Sequence, residues 1–393
     1  MSTIALVGVP RTEHTLTEAI VQARIRGWDV LVLDRAEHLA KTTAAQYATY
    51  LLAVGEMTVE CIVDVLRPHR IDAVLSFTEF TSILAARVRR ALELPGLTPE
   101  VEESIRNKAA TRSILQQYGL STTRYQIATF SELPRLAACF PVPLVIKPLD
   151  LTGSIGVYAI RNHDEVSRFS TIVVDIEKER LRNRNFLIEQ FINGREYSVE
   201  GICLAGCFNL LAITEKYTTG FPNFVETGHT LPASLDCNEE AICEYLQEVV
   251  SALKIGTAPI HAEVMVAPGT IELVEIHTRF GGDYIPLLME MAFGFKPFGM
   301  FYDALFTGQR VRRPQARCIA GVQFLDEKTV LAMNEMPMQW RDISYRLVVE
   351  KAESADSASL DNLHVPRRRI AHLLFEASNH ETAKAFVSDM VKR

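Results

Sequence analysis

The stretch HAEVMVAPGTIELVEIHTRFGGD, residues 261–283, decides how this chain is read. Two apolar-rich runs flank a Pro-Gly pair. Each run carries an acid that an ordinary strand face would not need, Glu263 before the turn and Glu275 after it, and Arg279 and Gly281-Gly282 follow closely. The pattern predicts a β-hairpin. A tight two-residue loop would set the two acids on opposite faces; a three-residue loop with Gly269 in the left-handed conformation would set them directly across from each other. Carboxylates paired across strands repel, and a bound divalent cation is the usual reason to tolerate that. The alternative is an edge hairpin with solvated acids.

Working outward, the hairpin sits in a chain of 393 residues, 48% hydrophobic and 23% charged, which is globular in composition and long enough for roughly two to four packed units. A net charge of -7 argues against nucleic acid as the main partner, since that task wants a basic face. No apolar run approaches the length of about 18 residues that a membrane span needs. The start, MSTIALVGVPRTEH, lacks a basic leader region, and seven scattered cysteines suit a reducing compartment, so a cytoplasmic location is expected.

The N-terminal third alternates short apolar runs (3–9, 29–34, 71–80) with helical patterns, including one long helical stretch before the third run. This predicts a parallel α/β unit. Its first turn reads GVPRTEH, not GxGxxG, so a dinucleotide-binding dehydrogenase is excluded as a reading. LPGLTP (94–99) marks a boundary. A helical region over 100–120, strand-like runs at 123–128, 143–148, 156–160 and 186–192, and a charged helix near 164–182 come next. An antiparallel pair from 197 onward and helices at 238–254 and 284–293 flank the hairpin; composition shifts after RRPQAR (312–317). The expected organisation is an N-terminal α/β domain over 1–97, a central α+β domain over 98–310 with a lid near 112–190, and a small C-terminal α/β domain over 311–393.

Two further segments carry chemistry. VPLVIKPLDLTGSIGV (142–157) ends an apolar strand at Lys147 and continues into a loop with Gly153, Ser154 and Gly156, where small residues let backbone N–H groups approach an anion. It is not a Walker A motif, and by itself such a loop is more often just a turn. FLIEQFINGREYSVE (186–200) is an apolar strand leading to Glu189-Gln190-Phe191-Ile192, a turn, and Glu196. Extended backbone there could meet an adenine edge and Glu196 a ribose, though a surface hairpin explains it as well.

The order lifts these signals. Asn107-Lys108, Lys147-Pro148, the Gly-Ser loop, EQFIxGxE, HAE and ExHxRxGGD follow one another at workable separations, and over about 98–300 the chain resembles the ATP-grasp superfamily. Within it, TEKYTTGFPNFVETGHTLPA (214–233) and EIHTRFGGDYIPLLMEMAFG (275–294) look most like the carboxylate–amine ligases that join amino acids, the L-amino-acid ligase group.

That resemblance implies an ATP-grasp fold and roles for named positions. Lys108 and Lys147 would meet the nucleotide phosphates, and Gly153, Ser154 and Gly156 would close over them. Glu189, Gln190, Phe191 and Ile192 would border adenine, with Glu196 on the ribose. Glu263 and Glu275 would hold Mg²⁺, with Mn²⁺ an alternative, and Arg279 would steady the charge that develops on phosphoryl transfer. The family usually places Asn where this chain has His277, an imidazole better suited to Mn²⁺ or Zn²⁺, so His277 is a candidate third metal ligand and a zinc set with His261 is an alternative. Gly281, Gly282 and Asp283 would border a substrate carboxylate and ammonium, while Glu226, His229 and Glu79 would line the same region. The implied reaction forms an acylphosphate and ADP, after which an amine displaces phosphate.

The partners implied are an amino acid and an amine or second amino acid, with a homodimer as the family's common assembly. Alternatives are a carboxylating enzyme that activates bicarbonate, a ligase acting on a carrier protein, and an ATP-binding protein without catalysis. RRRIAHLLFEASNHETAKAF (367–386) looks like the C-terminal domain of both enzyme groups, while 214–233 favours the amino acid ligases.

Overall fold

The computed structural model describes residues 2–10, 12–149, 156–166, 168–169, 184–222, 224–326, 330, 339–340, 343–349 and 369–392. Gly153 and Ser154, and most of the charged stretch expected near 164–182, lie outside the described residues.

The N-terminal strands β1 (Thr3–Val7), β2 (Asp29–Asp34), β3 (Tyr50–Ala53) and β4 (Ala73–Leu75) form a parallel sheet in the order β3-β2-β1-β4. β1 and β2 are almost wholly buried, as continuous apolar runs covered on both faces must be. The long helical stretch expected before residue 71 is not one helix. It breaks into short turns, the edge strand β3, and a helix at Val59–Leu66 capped by the Thr58 side chain. Thr58 accepts a hydrogen bond from the Cys61 N–H, the local signal that restarts the helix. β4 stops just before Ser76–Phe80, so Glu79 lies beyond the C-terminal end of a parallel strand, where such sheets present ligand-facing loops.

The region expected to be helical over 100–120 is two helices, Pro99–Arg106 and Lys108–Gln117, divided at Asn107. The Asn107 side chain accepts hydrogen bonds from the Ala109 and Ala110 N–H groups, which fixes Lys108 at the first turn of the second helix. A small antiparallel sheet follows: β5 (Tyr125–Thr129), β6 (Leu144–Pro148), β7 (Tyr158–Ile160) and β8 (Asn185–Gln190), in the order β5-β8-β6-β7.

The remaining strands are β9 (Arg195–Leu204), β10 (Cys207–Thr218), β11 (Glu226–Leu231), β12 (Ala258–Ala267), β13 (Thr270–His277), β14 (Ile319–Leu325), β15 (Gln339–Trp340), β16 (Ile343–Val349) and β17 (Ala371–Ala377). They make one sheet, ordered β13-β12-β9-β10-β11-β14-β17-β16-β15. The C-terminal strands thus join the central sheet through β11 and β14. An amphipathic helix, Glu239–Ala252, buries Ile242, Leu246, Val249 and Val250 in the core shared with β9 and β12. The helices Ile285–Phe293 and Pro297–Thr307 pack into a second core with the N-terminal sheet, through contacts such as Phe77 on Phe298 and the Tyr302 hydroxyl donating to the Ala19 carbonyl.

The hairpin β12–β13 closes by a two-residue Pro268-Gly269 loop, with Ala267 opposite Thr270 and Gly269 at φ +75°. That loop alone would separate the two acids. A β-bulge between Glu263/Val264 and their partners skips Val274, and beyond it Glu263 pairs with Glu275 and His261 with His277. The acids face each other, but through a bulge and not through the three-residue loop.

Candidate active site

Both hairpin acids are ionised by their neighbours. Burial alone would raise the Glu263 carboxyl; Lys216 and His261 outweigh it and hold it at about 2. Burial likewise opposes ionisation of Glu275, but His277, Lys108 and Lys147 bring it well below the usual carboxylate range. Lys108 Nζ is 3.4 Å from Glu275 Oε2 and Lys216 Nζ is 2.7 Å from Glu263 Oε1. Two adjacent ionised hard-oxygen ligands fit a divalent cation such as Mg²⁺.

Lys216, which sequence reasoning missed, is the centre of this arrangement. Its side chain is 4% exposed and its ammonium reaches Glu196 at 2.5 Å, Glu263 at 2.7 Å and Glu226 at 2.8 Å. Burial alone would depress the ammonium, yet the three carboxylates hold it well above its ordinary value. These residues come from four adjacent strands, β12, β9, β10 and β11. The expected ribose, metal and substrate acids therefore share one cation.

Lys147 ends β6 buried against Glu189, with Nζ 3.2 Å from Oε2. The same oxygen meets Arg112 at 3.2 Å, and Arg112 lies 3.5 Å from Glu272 on β13. The Glu189 side chain thus orients Lys147 from within. Past it, the Gln190 N–H donates to the Arg124 carbonyl, and the Phe191 ring lies 4.9 Å from Phe221 and 5.9 Å from Phe224. Ile192 is half-buried beside them, and Gly156 begins the described chain after the loop at φ +75°.

His277 has Nε2 3.1 Å from Glu275 and Nδ1 3.4 Å from Glu79. Burial lowers its pKa and Glu275 opposes this, which leaves an imidazole suited to ligation or to bracing Glu275. Glu79 gathers Arg279 at 3.0 Å and Arg106 at 3.4 Å on the same oxygen, and these cations with His277 hold it ionised against its burial. A loop of the N-terminal domain therefore fixes the guanidinium expected at the transferring phosphoryl group. His261 does not complete a set with the hairpin acids: its Nδ1 is taken by Glu200, and its Nε2 is 3.8 Å from Glu263.

A second cluster lies alongside. The ligand atoms of Glu226, His229 and Asp283 fall within 4.8 Å of one another. Arg369, just before β17, donates to Asp283 at 2.7 Å and to the Glu226 carbonyl at 3.2 Å, and its guanidinium lies 3.8 Å from the Phe324 ring centroid. Burial opposes ionisation of Asp283, but His229 and Arg369 hold it far below its ordinary value. Gly281 and Gly282 precede Asp283 and open the turn into the helix Ile285–Phe293.

An ATP-grasp domain model matches residues 140–286, and an ATP-grasp N-terminal domain model matches residues 20–96. The chain belongs to the ATP-grasp superfamily. Its nine-stranded sheet supplies the expected metal acids and its small antiparallel sheet supplies Lys147, both within the matched segment. The chain is similar to dapdiamide A synthase of Enterobacter agglomerans, 29% identical over 61% of this chain and 58% of that protein. It is also similar to alanine–anticapsin ligase of Bacillus subtilis, 25% identical over 66% of this chain and 59% of the relative. The chain thus spans less than two thirds of either relative's length. The crystal structure of an L-amino acid ligase from Bacillus licheniformis shares the fold at a TM-score of 0.76, covering 100% of this chain and 97% of that one at 22% identity. Among the described residues no helix is long and apolar enough to cross a membrane.

Proposed function

We propose that this ATP-grasp chain is an ADP-forming carboxylate–amine ligase that joins an amino acid to an amine or a second amino acid. The observation that carries it is the pairing of Glu263 with Glu275, ionised and ringed by Lys108, Lys147 and Lys216. Such a frame suits a magnesium nucleotide. The similarity to alanine–anticapsin ligase, whose name gives an amino acid as a substrate, supports the substrate class.

In this reading Glu263 and Glu275, with His277 at their side, hold Mg²⁺, which when bound neutralises phosphate charge and aligns the γ-phosphoryl group. Lys108 and Lys147 bind the phosphates. Gly153, Ser154 and Gly156 cover them and exclude water, which would otherwise hydrolyse the intermediate. Gln190, Phe191 and Ile192 border adenine, and Glu196 takes the ribose. A substrate carboxylate oxygen attacks the γ-phosphorus, the bond to the β–γ bridging oxygen breaks, and ADP leaves; Arg279, fixed by Glu79, meets the developing charge. The amine nitrogen then attacks the acyl carbon, the bond to the phosphate oxygen breaks, and phosphate departs. The recess of Glu226, His229 and Asp283 receives the ammonium, the departing phosphate takes up the amine's proton, and the open space beside Gly282 leaves room for a carboxylate.

The test is phosphate release from Mg-ATP over single amino acids, amino acid pairs and bicarbonate, with product masses on active wells. Release that needs an amino acid, with a product equal to both substrates less water, supports the reading. Release that needs bicarbonate alone contradicts it.

A further inference from the structure

Glu200 is 0% exposed, yet none of the proposed chemistry uses it. It lies on β9, opposite His261 in the pairing with β12. Its two oxygens have separate tasks. Oε1 is hydrogen-bonded to His261 Nδ1, and Oε2 accepts the Gly281 N–H at 2.8 Å. His261 presents its other nitrogen, Nε2, to Glu263 Oε1 at 3.8 Å, and its ring stacks on His277 at 6.0 Å between centroids and 15° between planes. A Cβ built on Gly281 would lie 2.8 Å from Glu200 Oε1 and 2.9 Å from His261 Nδ1, so the turn can come this close only as glycine. A fully buried carboxylate is costly unless it is paired and hydrogen-bonded on both oxygens. Here both partners lead into the site, one to the hairpin acids and one to the turn between Arg279 and Asp283.

We infer that Glu200 is a positioning residue that locks the metal-binding hairpin to the substrate-side Gly281 turn, acting on Glu263 through His261 and on the turn through its backbone. This rests on the metal–nucleotide reading above. A group that orients a metal ligand from behind shifts metal affinity by about 10–100-fold when replaced.

The experiment measures Mn²⁺ binding in the presence of ADP by electron paramagnetic resonance, metal-free ADP binding by calorimetry, and amide exchange of the 279–285 segment by mass spectrometry. Glu200→Gln, which keeps shape and loses charge, is expected to weaken Mn²⁺ binding by about 10–100-fold, leave metal-free ADP binding unchanged, and speed exchange at Gly281. His261→Gln is expected to weaken Mn²⁺ binding while leaving Gly281 protected, and it carries the test if Glu200→Gln does not fold. Unchanged Mn²⁺ binding in either folded variant overturns the inference, as does an equal loss of metal-free ADP binding, which marks a merely structural role. Wild-type protein that binds no Mn-ADP overturns the site reading itself.

Discussion

Glu275, paired with Glu263, and Lys216, which contacts Glu263, predict different outcomes. Glu275 touches its cations from a partly open position, so Glu275→Ala is expected to remove ADP formation by on the order of 10²–10³-fold or more, as loss of a charge-organising group does, with the far-ultraviolet dichroism and melting profile little changed. Lys216→Met instead leaves Glu196, Glu226 and Glu263 crowded without their shared cation. Breaking a buried ion pair costs on the order of 3–5 kcal/mol, so denaturant unfolding should show a loss of that size, and Mg²⁺ should raise the variant's melting temperature more than the wild type's. The pH dependence follows from two groups. Glu263, depressed to about 2, contributes stability that is present above its unfolded value of 4.5 and lost as pH falls below it; His261, raised to about 10, contributes stability that is present below 6.5 and lost as pH rises toward 10. Chemical denaturation across pH should therefore show a maximum between these limits, and Glu200→Gln should flatten the alkaline limb. The acids, Lys108, Lys147 and Arg279 were legible in the sequence because motif order names them. Lys216 was not: in EKYTT it looks like any strand lysine, and only the alignment of four strands brings three carboxylates to it.

At the scale of elements, the hairpin was legible from its two apolar runs and Pro-Gly turn, while the bulge at Val274 was not. No residue type marks it; the register is set by burying Leu273 and Ile276 while the acids stay on the opposite side. The turn tip is remote from the chemistry and Gly269 is exposed with φ +75°. Gly269→Ala should therefore cost about 1–2 kcal/mol of stability and leave turnover unchanged, a separation that unfolding curves and steady-state rates would measure side by side. The broken helices over 35–70 and 100–120 were unreadable for a related reason: helix propensity is a weak prior, and single capping residues, Thr58 and Asn107, decide where helices restart.

At the scale of the whole molecule, the site is assembled from every part of the chain: Glu79 from the N-terminal sheet, Lys147 from the small sheet, the hairpin from the large sheet, and Arg369 from the C-terminal strands. The order of parallel and antiparallel units could be read from alternating runs, but the joining of β14 to β11 and the reach of Arg369 into the Glu226–Asp283 recess depend on tertiary pairing that no local pattern announces. This assembly is proposed to activate a carboxylate as an acylphosphate. That step is tested most directly by supplying the amino acid selected in the phosphate-release screen with its carboxylate labelled in heavy oxygen. One labelled oxygen is expected in the released phosphate, and label retained wholly in the product and unreacted substrate would rule out an acylphosphate.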